Sequence, residues 1–170
     1  MMKLFLIGLP GSGKSTLGKQ LAPRLHLPFF DLDDVIEQNA RQPIRTTFAQ
    51  RGEDVFRQLE REALQQLTTQ QSAFVLATGG GAPCFYDNLD YMKQRGTTVF
   101  LDVPIATIVQ RMQGAQISDR PLLQALDQNQ LVQEYTTKFK KRLPVYRQAQ
   151  ITIHQDTPLE ELVTILSARS

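Results

Sequence analysis

Residues 8–16 read Gly-Leu-Pro-Gly-Ser-Gly-Lys-Ser-Thr and satisfy the spacing G-x-x-x-x-G-K-S/T. Glycines at these positions let the backbone curl until successive amide N–H groups point at one anion, and a helix starting beside them adds its positive end. Lys14 brings a point charge to the β- and γ-phosphates of a nucleotide, and the Ser15 hydroxyl is a ligand for Mg²⁺. Gly11, Ser12, Gly13, Lys14, Ser15 and Thr16 are therefore the expected nucleotide-phosphate residues. A second bare stretch, Thr78-Gly79-Gly80-Gly81-Ala82, has no bulky side chain to block a close approach of the backbone, although a plain flexible turn has the same composition.

A phosphate loop needs a strand before it and a helix after it. Residues 4–7 form an apolar run that reads as a buried first strand, and Leu17, Leu21 and Leu25 recur at the four-residue spacing of one helix face. Pro23 is expected to kink or end that helix near Ala22. Further short apolar runs at 28–30, 74–77, 98–101 and 151–153 alternate with segments of helical period. The alternation predicts an α/β fold with a five-stranded parallel sheet. Thr157-Pro158-Leu159-Glu160 combines a capping-box pattern with proline at the first helical position, so a last helix is expected from Pro158 to about Ala168, with Leu162, Ile165 and Leu166 inward. Residues 33–67 contain no strand signal, which predicts a helical insertion. Polar and small residues at 114–121 interrupt two helical segments. Insertions of this kind over an α/β sheet are where substrate domains and lids sit.

At 170 residues and 41% hydrophobic, the chain suits a single domain with an ordinary core. The net charge of +2 and basic residues read as scattered argue against a nucleic-acid partner and suit a small anionic ligand. The single cysteine, Cys84, cannot close an internal disulfide, and no stretch nears the roughly 20 apolar residues of a membrane span. The first residues lack the cleavage site of a signal peptide. A soluble cytoplasmic monomer is expected. No N-K-x-D segment of a switch GTPase is present, nor the apolar run ending in Asp-Glu of many transport and motor ATPases.

Taken in order, the phosphate loop, the acidic segment Asp31-Leu32-Asp33-Asp34, the segment Gly52-Glu53-Asp54-Val55-Phe56-Arg57, the triple glycine, Asp119-Arg120-Pro121 and Arg142-Leu143-Pro144-Val145-Tyr146 resemble the shikimate kinase family over nearly the whole chain. The resemblance implies a P-loop NTPase of the nucleoside-monophosphate-kinase kind: three layers around a parallel sheet of order 2-3-1-4-5, one kinase domain over 1–170, a substrate-binding insertion at 33–60 and a lid at 112–123. It implies ATP and shikimate as substrates and Mg²⁺ as cofactor. Carried over by position, Ser15 and Asp31 serve the metal, and Lys14, Asp33 and Arg120 are catalytic. Asp33, Arg57, Gly79, Gly80, Gly81 and Arg142 meet the acceptor, while Arg111 and Arg120 meet ATP. The residue types suit these roles, since a guanidinium pairs with a carboxylate bidentately and Asp33 can take a hydroxyl proton or simply orient the hydroxyl. Glu60, three residues after Arg57, either holds that guanidinium or lies on a solvated face. For Arg111, adenine stacking and a solvated helix face both stay open. Phe48 and Phe56 either line the acceptor or fill the insertion's core, with core the commoner fate.

The chain departs from the family pattern at Arg41, where the family carries glycine, at Thr47, where it carries an aliphatic residue, and in the second carboxylate Asp34. Gluconate and adenylate kinases are the nearest alternatives, although adenylate kinases read G-K-G-T where this chain has Gly13-Lys14-Ser15-Thr16. A non-catalytic nucleotide-binding regulator would be expected to have lost the loop lysine or Asp33, and both are present.

Overall fold

The structure, a computed structural model, describes residues 1–115 and 128–168. Its strands are β1 (Lys3–Ile7), β2 (Phe29–Asp31), β3 (Phe74–Ala77), β4 (Thr97–Asp102) and β5 (Ile151–His154), paired in parallel in the order β2-β3-β1-β4-β5. The expected fold class and strand order are both found. Helices cover both faces of the sheet, which is why β1 reads as an unbroken apolar run. Leu4, Phe5, Leu6 and Ile7 are each no more than 1% exposed, and Phe5 meets Phe74 edge-on with ring centroids 5.4 Å apart.

Helix α1 (Lys14–Arg24) carries Pro23 inside it and runs two residues past Ala22. The proline is tolerated because only one helical residue follows it, and the Leu27 N–H closes the turn on the Ala22 carbonyl at 2.9 Å. The strandless stretch is helical as expected, divided into α2 (Leu32–Ala40) and α3 (Ile44–Gln70). Within α3, Gly52 has φ 80° and ψ 175°, a conformation open essentially to glycine alone, and it breaks the helix there. The later part of α3 buries Ala63, Leu64 and Leu67 in the main core.

Then come a 3₁₀ turn (Ala82–Cys84), α4 (Asn88–Arg95), α5 (Ile105–Ala115), α6 (Gln128–Phe139), α7 (Leu143–Tyr146) and α8 (Leu159–Ser167). In α8, Leu162 and Leu166 are buried and Ile165 packs against the core. The expected capping box does not form. Pro158 holds the cap position, and Thr157 Oγ1 instead accepts from the His154 N–H at 3.1 Å, tightening the turn after β5.

Register decides what meets at the carboxyl end of the sheet. Asp31 of β2 lies beside Ala77 of β3, and Ala77 lies beside Leu6 of β1. The phosphate loop, the Thr78–Gly81 loop and the acidic segment therefore leave the sheet side by side. β1 is also where the chain's crossovers change direction, the usual place for a ligand crevice in an open α/β sheet.

Candidate active site

The phosphate loop wraps the start of α1, and Lys14 is only 7% exposed. Its ammonium donates to the Gly8 and Leu9 carbonyls at 3.0 and 2.9 Å. Burial lowers its pKa to about 8, with Arg142 acting in the same direction and the Asp33 and Asp31 carboxylates opposing. The Ser15 hydroxyl donates to Asp31 Oδ2 at 2.5 Å, so the two residues expected to serve the metal stand together. The other Asp31 oxygen accepts from the Asp33 N–H at 3.1 Å and caps α2. This cap turns Asp33 into a cleft of about 350 Å³ shared with Lys14, Ser15, Asp31, Thr78, Gly79 and Gly80. Asp33 is exposed where it lines the cleft, and partial burial of its carboxyl, then the neighbouring Asp31 charge, raise its pKa. Thr78 anchors its loop by donating both its N–H and its hydroxyl to the Leu6 carbonyl, at 3.1 and 3.0 Å.

Arg57 is 7% exposed and held from several sides. Its NH1 donates to Glu60 Oε2 at 2.8 Å, and its Nε and NH2 donate to Glu53 Oε1 at 3.3 and 3.2 Å. The guanidinium lies 4.1 Å from the Phe85 ring centroid. Of five N–H groups three are engaged, which leaves two for a ligand. Glu60 thus clamps Arg57 rather than facing solvent. It is 1% exposed, its pKa is raised by burial against the pull of Arg57, and its Oε1 has no hydrogen-bond partner among the described residues. The i,i+4 spacing of Glu53 to Arg57 was a readable signal for the second clamp, which the sequence reading passed over.

The triple glycine is a matter of contact. A Cβ on Gly80 would stand 2.5 Å from the Pro10 ring, one on Gly81 2.5 Å from the Arg57 guanidinium, and one on Gly79 2.9 Å from Glu60 Oε1. Tyr146, fully buried, donates its hydroxyl to the Gly80 carbonyl and fixes the loop from behind. That anchor was missed as well, although Tyr146 closes the Arg142 to Tyr146 motif. Arg142, at the start of α7, sits over the Phe139 ring at 5.0 Å. Its charge lowers Lys14 and opposes the burial-raised pKa values of Glu60, Cys84 and Tyr146, so it lies within electrostatic reach of all four.

On the other side of the phosphate loop, a cleft of about 520 Å³ is bordered by Gly13, Thr16, Arg111, Gln155 and Leu159. Arg111 donates to the Ser12 carbonyl at 3.1 Å and to Gln155 Oε1 at 3.3 Å, tying the loop to the turn after β5. Phe56 is buried and stacks with Phe48 at 4.5 Å, while Phe48 remains 37% exposed. Cys84 is half-buried, with its thiol pKa pushed up by burial, as suits a packing residue. Arg120 and the expected lid from residue 116 onward lie outside the described residues.

A glycine-cradled, buried lysine beside a serine–aspartate pair, at the carboxyl end of a parallel sheet, defines a P-loop nucleotide-phosphate site. The shikimate kinase family model matches residues 10–168, and on that match the chain belongs to the shikimate kinase family. A shikimate kinase of Bacteroides fragilis is 44% identical over 149 residues, covering 88% of this chain and 82% of that protein. The crystal structure of shikimate kinase from Bacteroides thetaiotaomicron superposes with a TM-score of 0.85 at 38% identity, covering 99% and 97% of the two chains. Shikimate kinase from Acinetobacter baumannii, solved in complex with shikimate, gives 0.79 at 33% identity, covering 99% and 92%.

Proposed function

We propose that this chain transfers the γ-phosphoryl group of ATP to a hydroxyl of shikimate, giving ADP and shikimate 3-phosphate. The observation that carries the reading is a cleft lined by Asp33 and the phosphate-loop lysine, where a Cβ on Gly79 would meet both Asp33 and Glu60, the carboxylate that holds Arg57, and where the charge of Arg142, from a distant segment, acts on Lys14. Shikimate offers one carboxylate for the arginines and hydroxyls for the aspartate. The acceptor oxygen forms the new P–O bond as the bond from the γ-phosphorus to the β,γ-bridging oxygen breaks. Asp33, its pKa raised, takes the hydroxyl proton or orients the hydroxyl, and Lys14 balances charge on the transferring group. The backbone at Gly79, Gly80 and Gly81 borders the acceptor.

The oxygen donors of Ser15 and Asp31 fit Mg²⁺, a hard cation that takes the rest of its shell from phosphates and water. When bound, it neutralises phosphate charge. Arg111 is assigned to the nucleotide, stacking on the base beside Gln155, and Arg120 to the ATP phosphates. The insertion at 33–60 is assigned to acceptor binding and the segment 112–123 to a lid. Among the described residues no helix is long and apolar enough to cross a membrane. The reading takes the chain to work in the cytoplasm as a monomer, without nucleic acid.

The test is ADP release with Mg-ATP against shikimate, quinate, gluconate and nucleoside monophosphates, in wild type, Arg57→Lys and Arg142→Lys. Lysine keeps the charge but loses the fork. A lost charge-assisted hydrogen bond costs roughly 1.5–3 kcal/mol, so the acceptor KM should rise about ten- to a hundredfold in each variant. Preference for another acceptor, or wild-type KM in both variants, would sink the assignment.

A further inference from the structure

The basic residues are less evenly spread than the sequence reading has it. Lys138, Lys140, Lys141, Arg142 and Arg147 put five positive charges into residues 138–147, a stretch without a carboxylate. Fourteen basic residues remain elsewhere for all 17 acidic ones, so the net +2 is a chain at −3 carrying a block at +5. The opposite block is residues 31–37, where Asp31, Asp33, Asp34 and Glu37 stand with no cation among them.

The fold brings both blocks to one cleft. Asp31 and Asp33 line it, and the charges of Asp34 and Glu37 both reach Asp33. From the basic block, Tyr146 donates its hydroxyl to the carbonyl of Gly80, which lines the cleft, so the segment from Arg142 to Arg147 is fastened beside it, and the Arg142 charge acts on Lys14 and Glu60. The Lys138 ammonium lies 5.6 Å from the same Phe139 ring that Arg142 covers, and Lys140 and Lys141 fall between those two residues in the chain. Lys138, Lys140, Lys141 and Arg147 are exposed. None of the four takes part in any of the ion pairs among the described residues. Such charges act over the screening length of about 8–10 Å at physiological salt, and charge of one sign along an approach raises the on-rate of an opposite ligand, by about 10- to 1,000-fold where a whole cleft carries that sign. An anion approaching across residues 31–37 meets four carboxylates. Residues 138–147 themselves offer only cations, with Asp87 and Asp90 bordering a pocket beside Val145 and Gln148.

We infer that Lys138, Lys140, Lys141 and Arg147 form a capture rim that draws the anionic acceptor toward Arg142 and sets its direction of approach, without touching the bound molecule. The inference rests on the acceptor being a carboxylate, as proposed above. The test compares wild type with Lys140→Glu/Lys141→Glu/Arg147→Glu, and with the same three positions changed to Gln. kcat and kcat/KM for shikimate are measured at saturating Mg-ATP from low salt to about 0.5 M. In wild type, kcat/KM should fall with salt. The Glu variant should start about tenfold lower at low salt, converge with wild type at high salt and keep kcat, while the Gln variant falls between. Lys140→Arg/Lys141→Arg should keep the wild-type slope, which a packing role for the lysine stems would not require. Equal salt slopes in wild type and the Glu variant make this an ordinary solvated surface and overturn the rim while leaving the acceptor intact. A wild type that does not phosphorylate shikimate overturns both.

Discussion

Two glycine-rich loops border the same cleft and need their glycines for different reasons. In the phosphate loop, Gly11 and Gly13 hold φ of 80° and 100°, and a Cβ on Gly13 would meet nothing nearer than 3.7 Å. Their requirement is in their own backbone, while Gly8 at the start of the loop, with φ 147°, is also pressed by the Leu101 carbonyl, 2.8 Å from where a Cβ would stand. In the second loop, Gly79, Gly80 and Gly81 have no positive φ, and their requirement is in their neighbours: the Pro10 ring, the Arg57 guanidinium and Glu60. One loop is shaped by its torsions and is recognisable from its own residues. The other is shaped by what presses on it, and its meaning depends on partners elsewhere in the chain.

The largest expected effect lies in the self-shaped loop. Lys14→Met should lower kcat about a hundred- to a thousandfold with the fold kept, because it removes the charge aimed at the transferring phosphoryl. Near-normal turnover in a folded variant, checked by circular dichroism, would detach the loop from the chemistry.

The contact-shaped loop is best probed by adding single methyl groups. Gly80→Ala drives a Cβ into Pro10, a rigid ring inside the phosphate loop, so KM should rise for ATP and acceptor alike. Gly81→Ala pushes first on Arg57, which Glu53 and Glu60 hold in place. The acceptor KM should then rise about tenfold, the size of one weakened charge-assisted hydrogen bond, and the ATP KM should stay put. Equal effects of both variants on both substrates would erase the difference between the two contacts.

A proton balance tests how closed the phosphate loop is. Lys14 has its pKa lowered to about 8 by burial, and a bound phosphate anion favours the charged form. Below about pH 8 the group is already protonated and affinity is flat. Above it, binding must take up a proton, so affinity for metal-free ADP should fall by up to about tenfold per pH unit. Titration calorimetry at pH 8.5 in buffers of different ionisation heat should show uptake that is absent at pH 7, and no difference would mean that Lys14 is charged throughout.

The smallest effect belongs to the insertion. Arg41 ends α2 in the left-handed region at φ 53°, ψ 31°, a conformation that suits glycine better than a residue with a side chain. Arg41→Gly relieves that conformation at the cost of a more flexible unfolded chain. The expected net gain is about 0.5–1 kcal/mol, or about 1–4 °C in Tm. A lower Tm would mean that the arginine side chain contributes more than its backbone costs. The other departure has its own compensation, since buried Thr47 accepts a hydrogen bond from Gln42 Nε2 at 2.9 Å where an aliphatic residue would leave Gln42 without one.

The sequence by itself determined whatever depends on neighbours along the chain. The five strands were readable because each is a short apolar run, and β3 matches its expected limits of 74–77. The phosphate loop was readable because its torsions, its lysine and its serine all lie within nine residues. A local signal misled at Thr157, whose hydroxyl serves the turn behind it instead of the helix ahead, whereas α1 ends two residues past Ala22, close to where Pro23 placed its end. Only the tertiary structure decided what depends on long-range contact. It seated Gly81 under Arg57, fastened Gly80 to Tyr146 and brought Arg142 within reach of Lys14 across more than a hundred residues. The physical reason is that a torsional requirement leaves its mark on the residue that bears it. A steric or electrostatic requirement is shared between two residues, and nothing in either one names the other until the sheet's register and the helices it carries have set their distance.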